Sequence, residues 1–164
     1  MLRQLQEILP PDSYDNALLQ DTRITTLPAQ LSPQGEDTLY IARRQGTPVA
    51  VIIPATAPNG YNGAIDLLVG VRSDGRLAAV RVSKHRETPG LGDGIDKSRG
   101  DWIDQFQGRS LGNPEKWAVR KDGGPFDQLT GATITPRAIV KTVQDTLQWF
   151  EGHRDWVFQA EAED

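Results

Sequence analysis

Two pairs of apolar runs, each pair joined by a connection too short for anything but chain reversal, constrain this chain most. "TLYIARRQGTPVAVIIPATA" breaks at Gln45-Gly46, and "AIDLLVGVRSDGRLAAVRVSKH" breaks at Ser73-Asp74-Gly75. Parallel neighbours need a crossover of about a dozen residues or more, so such turns dictate antiparallel hairpins. Val49, Val51 and Ile53 alternate with Ala50 and Ile52, as strand side chains must. In the last run Val80 and Val82 point one way, and Arg81, Ser83 and His85 the other. "APNGYNG" between the two pairs reads as a loop.

Helices flank this sheet. Leu2, Leu5, Ile8 and Leu9 sit at helical spacing until Pro10-Pro11 stops them, and a loop is expected to about residue 37. After a Gly/Pro-rich loop, "DWIDQFQG" reads as a short helix with Trp102, Ile103 and Phe106 on one face and Asp101 as cap. "KWAVRKDGG" reads as a short strand and a glycine turn. From Pro136 to about Phe150 runs a helix striped by Ile139, Val143, Leu147 and Phe150. Thr135 suits its N-cap, and Pro136 suits the first helical position, where its missing N–H costs nothing. Trp149 and Trp156 read as packing residues, His153 as exposed, and "QAEAED" as a frayed acidic tail. The expectation is one α+β domain with a mostly antiparallel sheet and packed helices: an N-terminal helix and loop over 1–37, a core over 38–150 and a tail over 151–164.

Composition narrows the functional classes. A net charge of −4 and a pI of about 5.2 leave no basic stripe for nucleic acid. The chain has no cysteine, which excludes disulfides, thiolate metal sites and iron–sulfur clusters. Its 16 glycines and 11 prolines favour defined turns over a helical bundle. No apolar run approaches the roughly 20 residues that span a bilayer.

Chemistry concentrates in "FDQLTGATITPRAIV", where Thr130, Thr133 and Thr135 crowd Gly131 and Ala132. One reading is a tight turn leading into a capped helix. The other is that Thr133 carries a group. A phosphate there would meet the free N–H groups and the positive end of the helix dipole. Gly131 and Ala132 would let it approach the backbone, and Arg137 and Lys141 would add positive charge. A second stretch, "HRETPGLGD", holds His85, Glu87 and Asp93. One His and two carboxylates on a glycine loop is a weak pattern for a metal or an acid–base pair, and a hydrated loop is the simpler reading.

Asp127-Gln-Leu-Thr-Gly-Ala-Thr133 resembles the flavinylation motif D-x-x-[ST]-G-A-[ST]. Together with "ATAPNGYNGAIDLLVG", "HRETPGLGD" and "WAVRKDGGPFDQLTGATITPRA" in this order, it is similar to the G-type subunit (RnfG or RsxG) of the Rnf ion-translocating electron transport complex. A related protein is the C-type subunit of the sodium-pumping NADH:quinone reductase. The resemblance runs from about Asn16 to Phe150 and implies an FMN-binding core.

It implies FMN joined through its phosphate to the Thr133 hydroxyl, with Asp127, Thr130, Gly131 and Ala132 completing the motif. By the same resemblance the "ETPGLG" loop packs on the flavin. Gly90 and Gly92 would allow close approach, Leu91 would cover a ring face, and Glu87 and Thr88 would lie at its edge. Trp117 would form a second wall, unless it is simply core. Lys121 would stabilise the reduced ring, and the N–H of Gly123 or Gly124 would reach its carbonyls. The resemblance further implies other subunits of the Rnf complex as partners and a separate FAD-dependent FMN transferase that modifies Thr133. It also implies a transmembrane helix ahead of residue 1, anchoring the domain on the periplasmic side of a bacterial inner membrane.

The redox reading makes the chain an electron relay with no substrate site of its own. "GLGDG" lacks the glycine spacing and the strand–helix setting of a nicotinamide fingerprint. The alternative is a non-redox or flavin-binding interaction domain that organises a membrane assembly. A phosphate-handling hydrolase on the "ETPGLG" loop lacks a paired base.

Overall fold

A computed structural model describes residues 2–159. Helix α1 (Leu2–Ile8) is followed by five strands: β1 (Thr22–Thr26), β2 (Glu36–Arg44), β3 (Thr47–Gly60), β4 (Gly63–Arg72) and β5 (Leu77–Lys84). A long irregular segment with short 3₁₀ turns then leads to helix α2 (Ile134–Val157). The strands form one sheet in chain order, each antiparallel to the next. Gln45 and Gly46 both take positive φ, 52° and 80°, the geometry of a two-residue hairpin turn whose twist matches its strands.

Both faces of the sheet are covered, so Val51, Ile52 and Ile53 are all buried although they alternate in direction. One face packs Val51, Ile53, Leu67, Val69 and Val80 against Ile139, Val143, Leu147 and Phe150 of α2. The other packs Ala50, Ile52, Leu68 and Ala78 against Leu5, Ile8 and Leu9 at the N-terminus. Gly70 is where α1 lands, because a Cβ there would collide with the Ile8 side chain. Gly70→Ala is therefore expected to overpack this layer at a cost of about 1–3 kcal/mol. Urea denaturation measures it, and an unchanged midpoint would show that α1 contributes little.

The single α+β domain with its antiparallel sheet and packed helices is as expected, and its details correct several readings. First, the region before residue 37 contains a strand. "TRITT" carries too little apolar pattern to show it, and β1 exists because β2 offers it a partner, with Thr22 opposite Tyr40 and Thr26 opposite Glu36. Second, "APNGYNG" is not a separate loop. Pairing continues through Ala57 opposite Ile65 to Gly60 opposite Gly63, with a register shift that absorbs Pro58 and Asn59.

Third, "KWAVRKDGG" is no strand. Val119 makes one isolated bridge to Phe126, and the chain turns back through Arg120–Asp122 with Gly123 at φ 91°. Fourth, α2 starts at Ile134 with Thr133 as its N-cap, so Thr135 lies inside the first turn. It also runs on to Val157, because Val157 is buried in the main core and Trp156 lies beneath the Arg23 guanidinium, 4.8 Å from the ring centroid.

The segment Trp102–Phe106 is a 3₁₀ turn that buries Trp102, Ile103 and Phe106 as expected. Asp101 does not cap it; its carboxylate takes a hydrogen bond from Lys97 Nζ at 2.8 Å. Trp149 is buried, and His153 stays exposed while stacking on it, with ring centroids 4.5 Å apart. Most of the expected acidic tail, residues 160–164, lies outside the described residues. No helix among the described residues is long and apolar enough to cross a membrane.

Candidate functional site

Three segments meet at one end of the sheet. The β3–β4 hairpin tip presents Tyr61, the loop after β5 presents Glu87, Thr88, Leu91 and Gly92, and the approach to α2 presents Gly131 to Thr135. Between them lies a cleft of about 260 Å³. Leu129 and Ala132 exchange two backbone hydrogen bonds across a tight turn in which Gly131 takes φ 75°. A Cβ on Gly131 would also stand 3.2 Å from Leu91 Cδ2, so the two glycine-containing stretches touch here.

The three threonines of the motif occupy distinct environments. Thr130 is exposed at the turn and does not line the cleft. Thr135 is fully buried, and its hydroxyl donates to Glu87 Oε1 while accepting from the Tyr61 N–H at 3.3 Å. Thr133 lines the cleft, half-buried, and although it is the N-cap residue its side chain makes no capping hydrogen bond. Among the described residues its hydroxyl receives only a long hydrogen bond of 3.5 Å from Gln128 Nε2. The first turn of α2 leaves backbone donors without intrahelical acceptors, as every helix start does.

Glu87, Thr88, Leu91, Gly92, Gly131, Ala132 and Thr133 thus line one cleft. Gly90 lies just outside, where its N–H donates to Asp93 Oδ1 at 2.9 Å and braces the loop. The His85–Glu87–Asp93 group forms no common centre. His85 Nδ1 accepts from the Glu87 N–H at 3.0 Å while its Nε2 faces Asp96, and Asp93 turns to Gly90 and Arg99.

Asp127 points away from the cleft, with its exposed carboxylate on Arg120 and its carbonyl accepting from Trp102 Nε1 at 2.6 Å. Lys121 and Gly123 belong to the exposed turn behind Gln128, whose Oε1 accepts from the Lys121 N–H at 2.7 Å. Trp117 is corrected to a core position. It packs against Phe126 and Phe106, with ring centroids 5.1 and 6.3 Å away, donates from Nε1 to the Ser110 carbonyl, and is absent from the cleft lining. The expected cationic surroundings of Thr133 also change, because Arg137 pairs with Asp122 at 2.7 Å and Lys141 with Asp145 at 3.1 Å. Hydrogen bonds from Arg137 hold the Asp122 carboxyl below its ordinary range. The helix start at Thr133 offers positive potential that does not depend on these paired cations.

Sequence reasoning overlooks Tyr61, Ile134 and Thr135 as cleft residues. Tyr61 is 68% exposed and Ile134 48%. An aromatic between Gly60 and Asn62 at a hairpin tip has no core to enter, and that is the one signal the sequence offers. For Thr135 there is no signal, since its partner lies 48 residues away.

The cleft sits within residues 60–148, which match the FMN-binding domain family. The G-type subunit of the ion-translocating oxidoreductase complex of Pseudomonas aeruginosa (strain UCBPP-PA14) is 50% identical over 155 residues, covering 93% of this chain and 72% of that protein. Its counterpart in Pseudoalteromonas atlantica is 46% identical over 165 residues, covering 99% and 77%. That of Salmonella typhimurium is 49% identical over 140 residues, covering 84% and 67%. Among solved structures, the C-type subunit of the Na(+)-translocating NADH-quinone reductase from Parabacteroides distasonis shares the fold. Its TM-score is 0.60 at 22% identity, over 75% of this chain and 65% of that one. By these matches the chain belongs to the FMN-binding domain family and, within it, to the G-type subunits of ion-translocating oxidoreductase complexes.

Proposed function

We propose that this chain is an electron-relaying flavoprotein subunit of a membrane-bound ion-translocating complex, holding FMN through a phosphoester to Thr133. The observation that carries the linkage is the uncommitted hydroxyl of Thr133, at a helix start and in a cleft, beside one buried and one outlying threonine. The site fits the group. Gly131 leaves room beside the backbone, and the helix start favours a phosphate. FMN, when bound, supplies reversible uptake of one or two electrons.

The remaining work falls to the chain's own residues. Pockets that enclose a ligand measure roughly 300–1,000 Å³, so a cleft of about 260 Å³ holds only part of the flavin. Tyr61, Leu91 and Ile134, all exposed, line this cleft and would be the residues to meet the bound ring and a redox partner. Covalent attachment makes retention intramolecular, so a small cleft suffices. The partners are the other subunits of the complex and an FAD-dependent FMN transferase. The domain lies on the periplasmic side of a bacterial inner membrane, tethered by an N-terminal anchor.

Co-expression with such a transferase is expected to raise the intact mass by one FMN less water and to give a yellow band that survives denaturation. Dithionite should bleach it, while the isolated chain should oxidise NADH negligibly. A colourless, unmodified product would support an interaction domain instead.

Leu91→Ala gives a finer test. Leu91 is 47% exposed and touches the motif turn, so its loss should leave attachment intact. Flavin fluorescence should rise, and the midpoint potential should move by some tens of millivolts at most, given a stacking contact of about 1 kcal/mol. Unchanged fluorescence and potential would show that Leu91 does not cover the ring.

A further inference from the structure

Thr133 has little of its own to fix it. Its hydroxyl makes no cap bond, and among the described residues its side-chain hydrogen bonding is the 3.5 Å approach of Gln128. Two residues on, Thr135 is fully buried and bonded on both sides. We propose that Glu87 and Thr135 form a positioning clamp that closes the three walls of the cleft on one another and thereby presents Thr133 for modification; this rests on the covalent-flavin reading.

The clamp ties three distant pieces of chain. Thr135 Oγ1 donates to Glu87 Oε1 and accepts from the Tyr61 N–H. Glu87 Oε2 accepts from the Asn62 N–H at 3.1 Å, and Asn62 Nδ2 donates to Thr88 Oγ1 at 2.9 Å. Hairpin tip, glycine loop and helix start are thus joined through one carboxylate. Gly92 comes down on it so closely that a Cβ there would lie 2.7 Å from Glu87 Oε1.

A carboxylate in this place is costly. Glu87 is 5% exposed, and among the described residues no cation pairs with it. Buried charge of this kind persists only when hydrogen bonds and dipoles replace water. Here the Thr135 hydroxyl, the Asn62 amide and the positive end of α2 do so. Apolar residues of similar volume would pack such a junction at lower cost, so the polar arrangement serves geometry rather than stability. A carboxylate offers acceptors to both donors at once; a glutamine offers one oxygen and turns an N–H₂ toward the other.

The test follows the rate of mass gain at Thr133 with the transferase and FAD, alongside amide exchange of the unmodified chain. Thr135→Val keeps the shape and removes the hydroxyl, Thr135→Ser keeps the hydroxyl, and Glu87→Gln breaks the double acceptance. Thr146→Val is the control, since Thr146 is equally buried in α2 and its hydroxyl serves only the Thr142 carbonyl. Thr135→Val and Glu87→Gln are expected to be modified about tenfold more slowly, with faster exchange at the Tyr61 and Asn62 amides. Thr135→Ser should recover the rate, and Thr146→Val should match the parent in both measurements.

Modification of Thr135→Val and Glu87→Gln at the parent rate overturns the clamp, as does slowed modification with undisturbed Tyr61 and Asn62 amides. If the parent chain itself takes no flavin, the covalent reading falls. The amides then decide the clamp alone: faster exchange in the two variants supports it, and unchanged exchange removes it.

Discussion

In Thr133→Val protein made alongside an FAD-dependent FMN transferase, the intact mass should stay that of the bare chain, while Thr130→Val gains one FMN less water. The structure makes this an all-or-none comparison. Valine matches threonine in shape and removes only the hydroxyl. A capping threonine lost in this way ordinarily costs about 1 kcal/mol, but the Thr133 side chain makes no cap bond, so the variant should keep its thermal midpoint. Thr130 sits on the exposed side of the Gly131 turn, away from the cleft lining.

The surroundings of Thr133 also explain why a separate transferase is invoked. A hydroxyl nucleophile needs a base within hydrogen-bonding reach. Among the described residues the Thr133 hydroxyl is hydrogen-bonded by the Gln128 amide, which donates, and the Glu87 carboxylate in the same cleft is committed to Thr135 and Asn62. On the proposed covalent reading, the chain is therefore the substrate of the attachment and not its catalyst. A flavin mass on Thr133→Val would move the linkage to another side chain and undo the assignment.

How much of the fold is legible in the sequence follows from how local each signal is. The paired hairpins rest on two short turns, Gln45-Gly46 and Asp74-Gly75, in each of which a glycine takes the positive φ that the turn requires. The motif turn at Gly131 is local in the same sense. Strand β1 is held by pairing with β2, and five residues with three threonines carry no pattern that announces it.

Local reasoning misplaces the start of α2 by two residues for an instructive reason. Thr135-Pro136 is a good cap and first-turn pair on local grounds, yet the Thr135 hydroxyl is claimed by Glu87, and the helix begins earlier to deliver it there. Proline tolerates that shift, because no residue in a first turn needs its N–H. Likewise "WAVRKDGG" sets Trp117 next to residues expected around the ring, but the aromatic residues Phe106 and Phe126 on either side in sequence draw it into the core.

That aromatic knot carries the largest stability effect expected. Phe106 is fully buried, 4.9 Å from Phe126 between ring centroids, 5.5 Å from Trp102 edge-on and 6.3 Å from Trp117. Truncation of such a residue removes its transfer energy and leaves a cavity that a knot of rigid rings fills poorly. Phe106→Ala should therefore cost about 3–5 kcal/mol. At about 2–4 °C per kcal/mol for a chain of this size, the thermal midpoint should fall by roughly 10 °C.

The effect should reach the site only through stability. Trp102 donates to the Asp127 carbonyl, and the Phe126 backbone exchanges hydrogen bonds with Ala118 and Arg120, so the knot anchors the chain that leads into the motif turn. Well below its midpoint, Phe106→Ala should still accept flavin on Thr133; near the midpoint it should lose that capacity as the anchor melts. Urea denaturation followed by tryptophan fluorescence measures the first quantity, and mass gain at two temperatures measures the second. A loss under 1 kcal/mol would mean that the rings close over the gap. Failure to take flavin even in the cold, by a folded chain, would mean that the knot shapes the cleft itself and does not merely support the segment above it.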